Sequence, residues 1–303
     1  MSTPTEPQRE HPSTYFVQDR SNEEELDRLR SQDQMLTAGM GGVLPEQLDA
    51  PIFRHVLDVG CGTGNWLIET AKAYPSVTQL VGVDTSEKML EYARAQAVAQ
   101  QVSDRVQFRA MDALRMLEFP DKSFDLVNER LGASFLRTWD WPKLLGEFQR
   151  VSRPGGMIRV TECDLTENNS PALTHLYDLF LHAMYKAGHF FTLDRRGVID
   201  ELANLLNRHG LQNVQTRIHL LDCRDGTPLW QPYYKNVQHG FRTLLPFFRK
   251  WTHVPDDYEV IYQQALSEMQ QPDFVATWGL LTAWGNKPGK KLPEQEAPVS
   301  QEG

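Results

Sequence analysis

Val56-Leu57-Asp58-Val59-Gly60-Cys61-Gly62-Thr63-Gly64 is the stretch that decides the fold. Apolar residues run straight into an acid and then into a glycine-spaced turn. Ile68, Ala71 and Tyr74 follow at helical spacing. The pattern predicts a buried strand, a tight turn and the first turn of a helix. Glycine lets a backbone approach a ligand closely and tolerates the positive φ that such a turn needs. The unpaired N–H groups of a helix's first turn favour a ligand that carries negative charge.

Three further segments fall where such a fold needs them. Leu80-Val81-Gly82-Val83-Asp84 is a second apolar run ending in an acid. Asp84 lies about 20 residues beyond Gly64, the distance at which an acid on the next strand reaches ribose hydroxyls. Val106 to Ala113 reads as a third strand leading into Asp112, and Phe124-Asp125-Leu126-Val127-Asn128 as a fourth. Strands interleaved with helical stretches indicate an α/β protein with a doubly wound, mostly parallel sheet. A dinucleotide site would show Gly-x-Gly-x-x-Gly. Counted from Gly60, the third position is Asn65, so that pattern fails. Asp58, just before the glycines, repels a pyrophosphate and suits a cationic amino-acid ligand.

With Asp112-Ala113, Phe124 to Val127 and Arg153-Pro154-Gly155-Gly156 added, the chain resembles the class I S-adenosylmethionine-dependent methyltransferases. The resemblance is strong over residues 50–165 and weaker through the last strands to Trp284. It implies a Rossmann-like sheet of seven strands, the last antiparallel, with S-adenosylmethionine as methyl donor. Asp58 and Gly60, Gly62 and Gly64 are then expected to cradle the methionine half. Asp84, with Thr85 beside it, is expected at the ribose. Asp112 and Ala113 are expected at the adenine, and Asn128 at the end of the fourth strand. Met89 is read either as an adenine contact or as plain core. The N-terminal helix, the Phe124–Arg130 segment and a late aromatic insertion look most like small-molecule methyltransferases of secondary metabolism, including the teleocidin type.

Bulk properties narrow the acceptor. The 303 residues carry a formal net charge of -9. An acidic surface repels phosphate backbones, which argues against nucleic acid. The basic pairs Arg195-Arg196 and Arg249-Lys250 read as solvated surface. Cys61, Cys163 and Cys223 are odd in number and form no metal-ligand spacing, so free thiols and no metal are expected. No stretch resembles a signal peptide or a membrane span, and a cytoplasmic protein is expected. Homo-oligomerisation is left open.

Residues 1–13 read as disordered and 14–286 as one methyltransferase domain, followed by a disordered charged tail over 287–303. Ser21 and Glu24 form a capping box for a lid helix over residues 21–38. Tyr15, ahead of it, is read either as a lid residue over the cofactor or as a staple to the core. Trp139 to Val151 is expected as a helix, and Pro154-Gly155-Gly156 as the turn into a fifth strand from Met157 to Thr161. Ser170-Pro171 opens another helix, ended by Gly188. Asp194 is expected to cap a helix through Asn207, and Val214 to Leu221 alternates like a strand. The last strand is expected over Phe274–Trp284. Residues 165–210 and 223–271 are expected as cap insertions. The second holds Trp230, Tyr233, Tyr234, Phe241, Phe247, Phe248 and Trp251, and is read as one or two helices over a small, largely apolar or aromatic acceptor.

The chemistry asks little of the protein, because a sulfonium leaves readily and alignment supplies most of the acceleration. A base is needed only where the acceptor loses a proton. The candidates are Glu129, His182 and His239, with His175 and His189 completing a seven-residue spacing along one helix. That histidine stripe suits an acceptor-facing surface or a solvated one. Two other readings stay open: a methyltransferase acting on RNA or protein, and a non-catalytic S-adenosylmethionine-binding protein.

Overall fold

Val56, Leu57 and Val59 are fully buried, each contributing roughly 1.5–3 kcal/mol relative to exposure. They make β1 (His55–Val59) the central strand of the sheet. The computed structural model describes residues 15–17, 23–47 and 53–289. Ser21, the disordered N-terminus expected over 1–13 and most of the expected tail lie outside them. Ahead of β1 runs α1 (Glu23–Met40). After β1 come α2 (Asn65–Ala73), β2 (Gln79–Asp84), α3 (Glu87–Ala99) and β3 (Val106–Ala110). Then follow β4 (Phe124–Arg130), α4 (Trp141–Val151), β5 (Ser152–Cys163), the two-residue β6 (Glu167–Asn168) and α5 (Pro171–Lys186). The chain ends with α6 (Leu202–Arg208), β7 (Gln212–Asp222), α7 (Trp230–Thr243), α8 (Leu245–Trp251), α9 (Tyr258–Glu268) and β8 (Ala276–Asn286).

The strand order is β3-β2-β1-β4-β5-β8, with β7 on the far edge of β8. The five strands from β3 to β5 are parallel, and β8 runs antiparallel to both β5 and β7. This is the doubly wound sheet expected, with one strand more. Cys163 pairs with Leu280 and Glu167 with Thr277, so β6 resumes the β5 ladder after a bulge. Chain order reverses between β1 and β4. That is the switch point where open sheets of this kind bind ligands, beyond the carboxyl ends of the strands. One face carries α2 and α3, packed through Val56, Leu80, Leu126 and Met157. The other carries α4 through Leu57, Val127, Ile158 and Val160.

Several boundaries differ from the sequence expectation, each for a local reason. Asp194 does not cap a helix running to Asn207. Its Oδ1 accepts from the N–H groups of Arg196 and Gly197 at 2.9 and 3.0 Å, closing a turn. Gly197 then adopts a left-handed φ of 46°, and helix resumes only as a 3-10 turn (Ile199–Glu201) leading into α6. The 223–271 segment forms three helices rather than one or two. Pro246 cannot continue the α7 ladder and instead sits in the first turn of α8. Helix α4 starts at Trp141, after Asp140 accepts from the Arg137 N–H. Of the residues expected as cap, α5 packs against α8 and α9, whereas α6 packs on β7, β8 and α4.

The turn from β1 into α2 depends on Gly64, whose φ is 73° at the helix N-cap. A Cβ there would lie 2.5 Å from Phe108 Cζ and 2.8 Å from Ala93 Cβ. Gly64→Ala should therefore lower unfolding free energy by about 2–3 kcal/mol in urea titration. Gly146→Ala, in the exposed interior of α4 with nothing near its Cβ, should instead raise it by up to ~1 kcal/mol.

Candidate active site

The parallel register sets Asp58 beside Asn128, and Asn128 beside Arg159. All three side chains share one face, because residues in register on neighbouring strands point the same way. Asn128 donates from Nδ2 to Asp58 Oδ1 at 2.7 Å and accepts at Oδ1 from Arg159 Nη1 at 2.8 Å. Arg159 in turn donates from Nε to Glu46 Oε1 at 2.5 Å, both side chains being fully buried. Burial raises the Asp58 carboxyl to about 7 against the pull of the Asn128 bond and the Arg159 charge, with Asp84 pushing the same way as burial. A cation brought to Asp58 is thus matched by a charge that the fold has already made costly.

The glycine loop lies directly above. Gly60, Gly62 and Gly64 all have positive φ. The Gly60 and Cys61 N–H groups both donate to the Val83 carbonyl, at 2.9 and 3.0 Å, which folds the loop over the end of β2. Asp84 joins in: its Oδ2 accepts from the Gly62 N–H at 3.0 Å and its Oδ1 from the Ser86 N–H at 2.8 Å. Helix α2 begins without a side-chain cap, so its first N–H groups face the crevice without a side-chain oxygen.

The other expected cofactor residues ring this loop unevenly. Thr85 is exposed and Met89 is buried on α3. Asp112 is half-buried, and its Oδ1 already accepts from the Leu114 N–H at 2.9 Å, with Ala113 buried between them. Tyr15 stacks on Phe16 and donates to Glu25 at 3.1 Å, so it ties its segment to α1. The Phe16 N–H donates to the Ser134 carbonyl, which draws residues 15–17 across the end of β4.

The candidate bases separate. Glu129 is fully buried on the face opposite Asn128, and neither carboxylate oxygen finds a hydrogen-bond partner. Burial, with the neighbouring acids Glu162 and Asp58, pushes it well above the ordinary carboxyl range. Glu162 accepts from the Ala133 N–H at 2.9 Å, and burial raises it to about 8. His182 and His175 lie on the exposed face of α5, so the structure makes that stripe a solvated one. His189 is buried, bonded through Nδ1 to the Leu136 carbonyl at 2.9 Å and held below its ordinary range by burial. His239 faces α1, with Nδ1 3.9 Å from Glu24.

Besides Arg159 and Glu46, sequence reasoning missed three contributors: Asp33, Leu131 and Phe135. Asp33 on α1 pairs with Arg130 at the end of β4 and accepts from Asn65 Nδ2 at 2.6 Å, so α1 is pinned beside the glycine loop. Leu131 has a φ of 61°, uncommon for a branched residue, where the chain leaves β4 for a 3-10 turn. Phe135 lies on Gly60: a Cβ at that glycine would come within 2.8 Å of its ring. The only sequence signal was the run Leu131-Gly132-Ala133-Ser134, small residues following a strand end.

Among the described residues no group of three or more His, Cys, Asp or Glu side chains is arranged to hold a metal ion. Nor is any helix among them long and apolar enough to cross a membrane.

A family model described as a methyltransferase domain matches residues 56–156. The demethylmenaquinone methyltransferase of Lactiplantibacillus plantarum is 31% identical over 173 residues, which are 53% of this chain and 71% of that protein. The protein of the same name from Deinococcus radiodurans is 42% identical over 109 residues, covering 36% of this chain and 43% of that one. Among solved structures, phosphoethanolamine N-methyltransferase 2 of Haemonchus contortus, in complex with phosphomonomethylethanolamine and S-adenosylhomocysteine, gives a TM-score of 0.53 at 17% identity. That match covers 90% of this chain and 60% of that one, and is a likeness of fold.

Glu129 and Glu162 make a prediction about stability. Their folded-state pKa values lie above those of the unfolded chain, so the folded state holds its protons more tightly. Stability is then lost as pH rises from the ordinary carboxyl range toward about 8. Glu129→Gln, which keeps the shape without the ionisation, should gain on the unsubstituted chain by about 1 kcal/mol or more between pH 5 and 8. Urea unfolding at a series of pH values reads the difference; a constant offset would contradict it.

Proposed function

Since the chain belongs to the S-adenosylmethionine-dependent methyltransferases, we propose that it methylates a small, largely apolar or aromatic metabolite. The observation that carries this reading is a convergence of aromatic side chains near the end of β4. Phe16, half-buried and tied to the end of β4, meets Phe180 of α5 edge-on at 5.9 Å and Phe247 of α8 at 6.1 Å. Phe180 continues to Phe190 and Phe248 at 6.3 and 6.4 Å, and Tyr177 to Phe241 at 5.3 Å. Three separate parts of the chain thus build one apolar wall. Most aromatic residues of the 223–271 segment, such as Tyr233 and Phe248, are its buried foundation. The half-buried faces belong to Phe16, Tyr177 and Phe180. Such rings bind flat apolar or aromatic molecules through burial and stacking.

The residues present fit the methyl donor. Glycines admit its backbone-close approach, Asp84 offers a carboxylate for ribose hydroxyls, and Asp58 stands where an ammonium group would be received. Asp112, Ala113 and Met89 would flank the adenine, with Thr85 and Asn128 at the rim. Tyr15 would close the crevice from the α1 side. Bound S-adenosylmethionine supplies an electrophilic methyl carbon on a sulfonium that leaves as a neutral thioether. The protein's task is to exclude water and align an acceptor atom with that carbon. The aromatic wall does the first, and its rings steady positive charge near the transferred methyl by cation–π attraction. Glu129, fully buried and pushed well above the ordinary carboxyl range by burial and by the acids Glu162 and Asp58, suits a buried acid more than a base. The demethylmenaquinone methyltransferases among its relatives have names consistent with an apolar aromatic acceptor.

Three measurements test this. With tritium in the methyl group of S-adenosylmethionine and a cell extract as acceptor source, label should enter the low-mass, organic-soluble fraction. Label confined to precipitated RNA or protein would overturn the reading. Asp84→Ala should weaken S-adenosylhomocysteine binding at least ~10-fold by calorimetry, about 1.4 kcal/mol. Phe180→Ala should raise KM for the acceptor while leaving KM for the donor nearly unchanged.

A further inference from the structure

We propose that Arg159 and Glu46 are positioning residues for the methyl donor, which they hold indirectly by keeping the Asn128 amide turned so that Asp58 carries a negative charge. The inference rests on the reading that Asp58 receives the donor's ammonium group. It comes from a buried polar chain that runs from the segment after α1 through the middle of the sheet to the crevice.

The chain has four members and a direction. Glu46 Oε1 and Oε2 accept from Arg159 Nε and Nη2 at 2.5 and 3.4 Å. Arg159 Nη1 donates to Asn128 Oδ1, and Asn128 Nδ2 donates to Asp58 Oδ1. Arginine only donates hydrogen bonds. A fully buried guanidinium against the Asn128 amide therefore dictates which end of that amide faces it. The oxygen must meet Arg159, so the NH2 must meet Asp58. An NH2 donor is satisfied by an ionised carboxylate. With Arg159 gone the amide is free to turn over, and its oxygen would then face Asp58 and favour the protonated acid. Glu46 holds the guanidinium in plane through both oxygens and balances its charge, without which a buried arginine is costly.

The surroundings agree with this role. The titratable and charged groups acting on Asp58 are Asp84 at the end of β2, Arg159 on β5, and the neighbouring Cys61 and Glu129, whose own ionisation Asp58 opposes. Arg159 is the cation in that set, and the Asp84 carboxylate pushes Asp58 toward protonation, as burial does. On the other side, His219 of β7 lies within reach of Arg159 and Glu46, and burial, then the Arg159 and Arg217 charges, hold its imidazole below the ordinary range. The start of the chain is set by α2, which carries Trp66. Trp66 Nε1 donates to the Val43 carbonyl at 3.0 Å, which fixes the segment that carries Glu46. Docking of the segment after α1 and the charge at the cofactor crevice are thereby linked through one line of hydrogen bonds.

The test is calorimetric binding of S-adenosylhomocysteine between pH 5.5 and 8.5, with 5′-methylthioadenosine, which lacks the amino-acid portion, as the second probe. The unsubstituted chain should bind S-adenosylhomocysteine about tenfold more tightly at pH 8 than at pH 6. Arg159→Met should move the midpoint of that dependence up by about one pH unit, weakening binding roughly fivefold at pH 7 and within about twofold at pH 8.5. Arg159→Lys, which keeps a donor-only cation, should restore most of it. Because a lone substitution leaves Glu46 unpaired, Glu46→Gln/Arg159→Met serves where the single variant does not fold, and the same upward shift is expected. Binding of 5′-methylthioadenosine should not change with pH in any of them. An unmoved midpoint, an equal loss at every pH, or a parallel shift for 5′-methylthioadenosine overturns the proposal. Asp58→Asn separates the two levels. If it abolishes the pH dependence while the Arg159 variants leave it in place, Asp58 keeps its role and the positioning chain fails. If it binds as the unsubstituted chain does, at every pH, the ammonium reading fails and the proposal with it.

Discussion

A carboxylate buried at the end of a central parallel strand is the constraint around which this molecule is arranged. Asp58 has to be flanked by a donor, and β4 supplies Asn128 at the same level. Asn128 has to have its own oxygen satisfied, and β5 supplies Arg159. Arg159 has to be neutralised, and the segment after α1 supplies Glu46. Each partner is imposed by the one before it, since an unpaired polar group at that depth costs several times what its hydrogen bond contributes. The sheet register and the docking of the segment after α1 are therefore parts of a single electrostatic solution.

A second set of contacts closes the crevice from the same side. Asp33 joins Arg130 to Asn65, the first residue of α2. Tyr15, Glu25 and Arg28 form a further network, and Arg28 reaches Asn236 of α7 at 2.9 Å. Helix α1 is thus held by these polar contacts together with the buried Leu26, Met35, Leu36 and Met40, whereas α5 and α8 are joined through packed aromatic rings.

The core of the fold was legible because its signals are local. A buried parallel strand is a short apolar run, and an acid followed by three alternate glycines marks the turn, so β1, β2, β4 and the loop stand close to their expected places. The misjudged elements are those where a local signal was satisfied in another way. Asp194 has the chemistry of a helix cap, yet it caps a turn because Gly197 takes a left-handed φ just after it. Pro246 adds a break, so that the segment read as one or two helices becomes three. The histidine spacing at 175, 182 and 189 left an acceptor-facing and a solvated reading open, and α5, by burying its leucines, leaves His175 and His182 in solvent.

By itself the sequence determined the sheet, the glycine loop and the acids at the strand ends, because a residue's distance along the chain sets where it falls on a strand or turn. It could not pair residues that lie far apart in the chain. Arg159 reads as a charged interruption in an apolar strand until Glu46, distant by more than a hundred residues, is placed against it. Phe16 reads as a stray aromatic until Phe180 and Phe247 meet it. Asp33 and Phe135 carry no motif at all. Long-range pairing is a property of the packed chain, where burial decides which charges must find partners, and only the tertiary structure could show it.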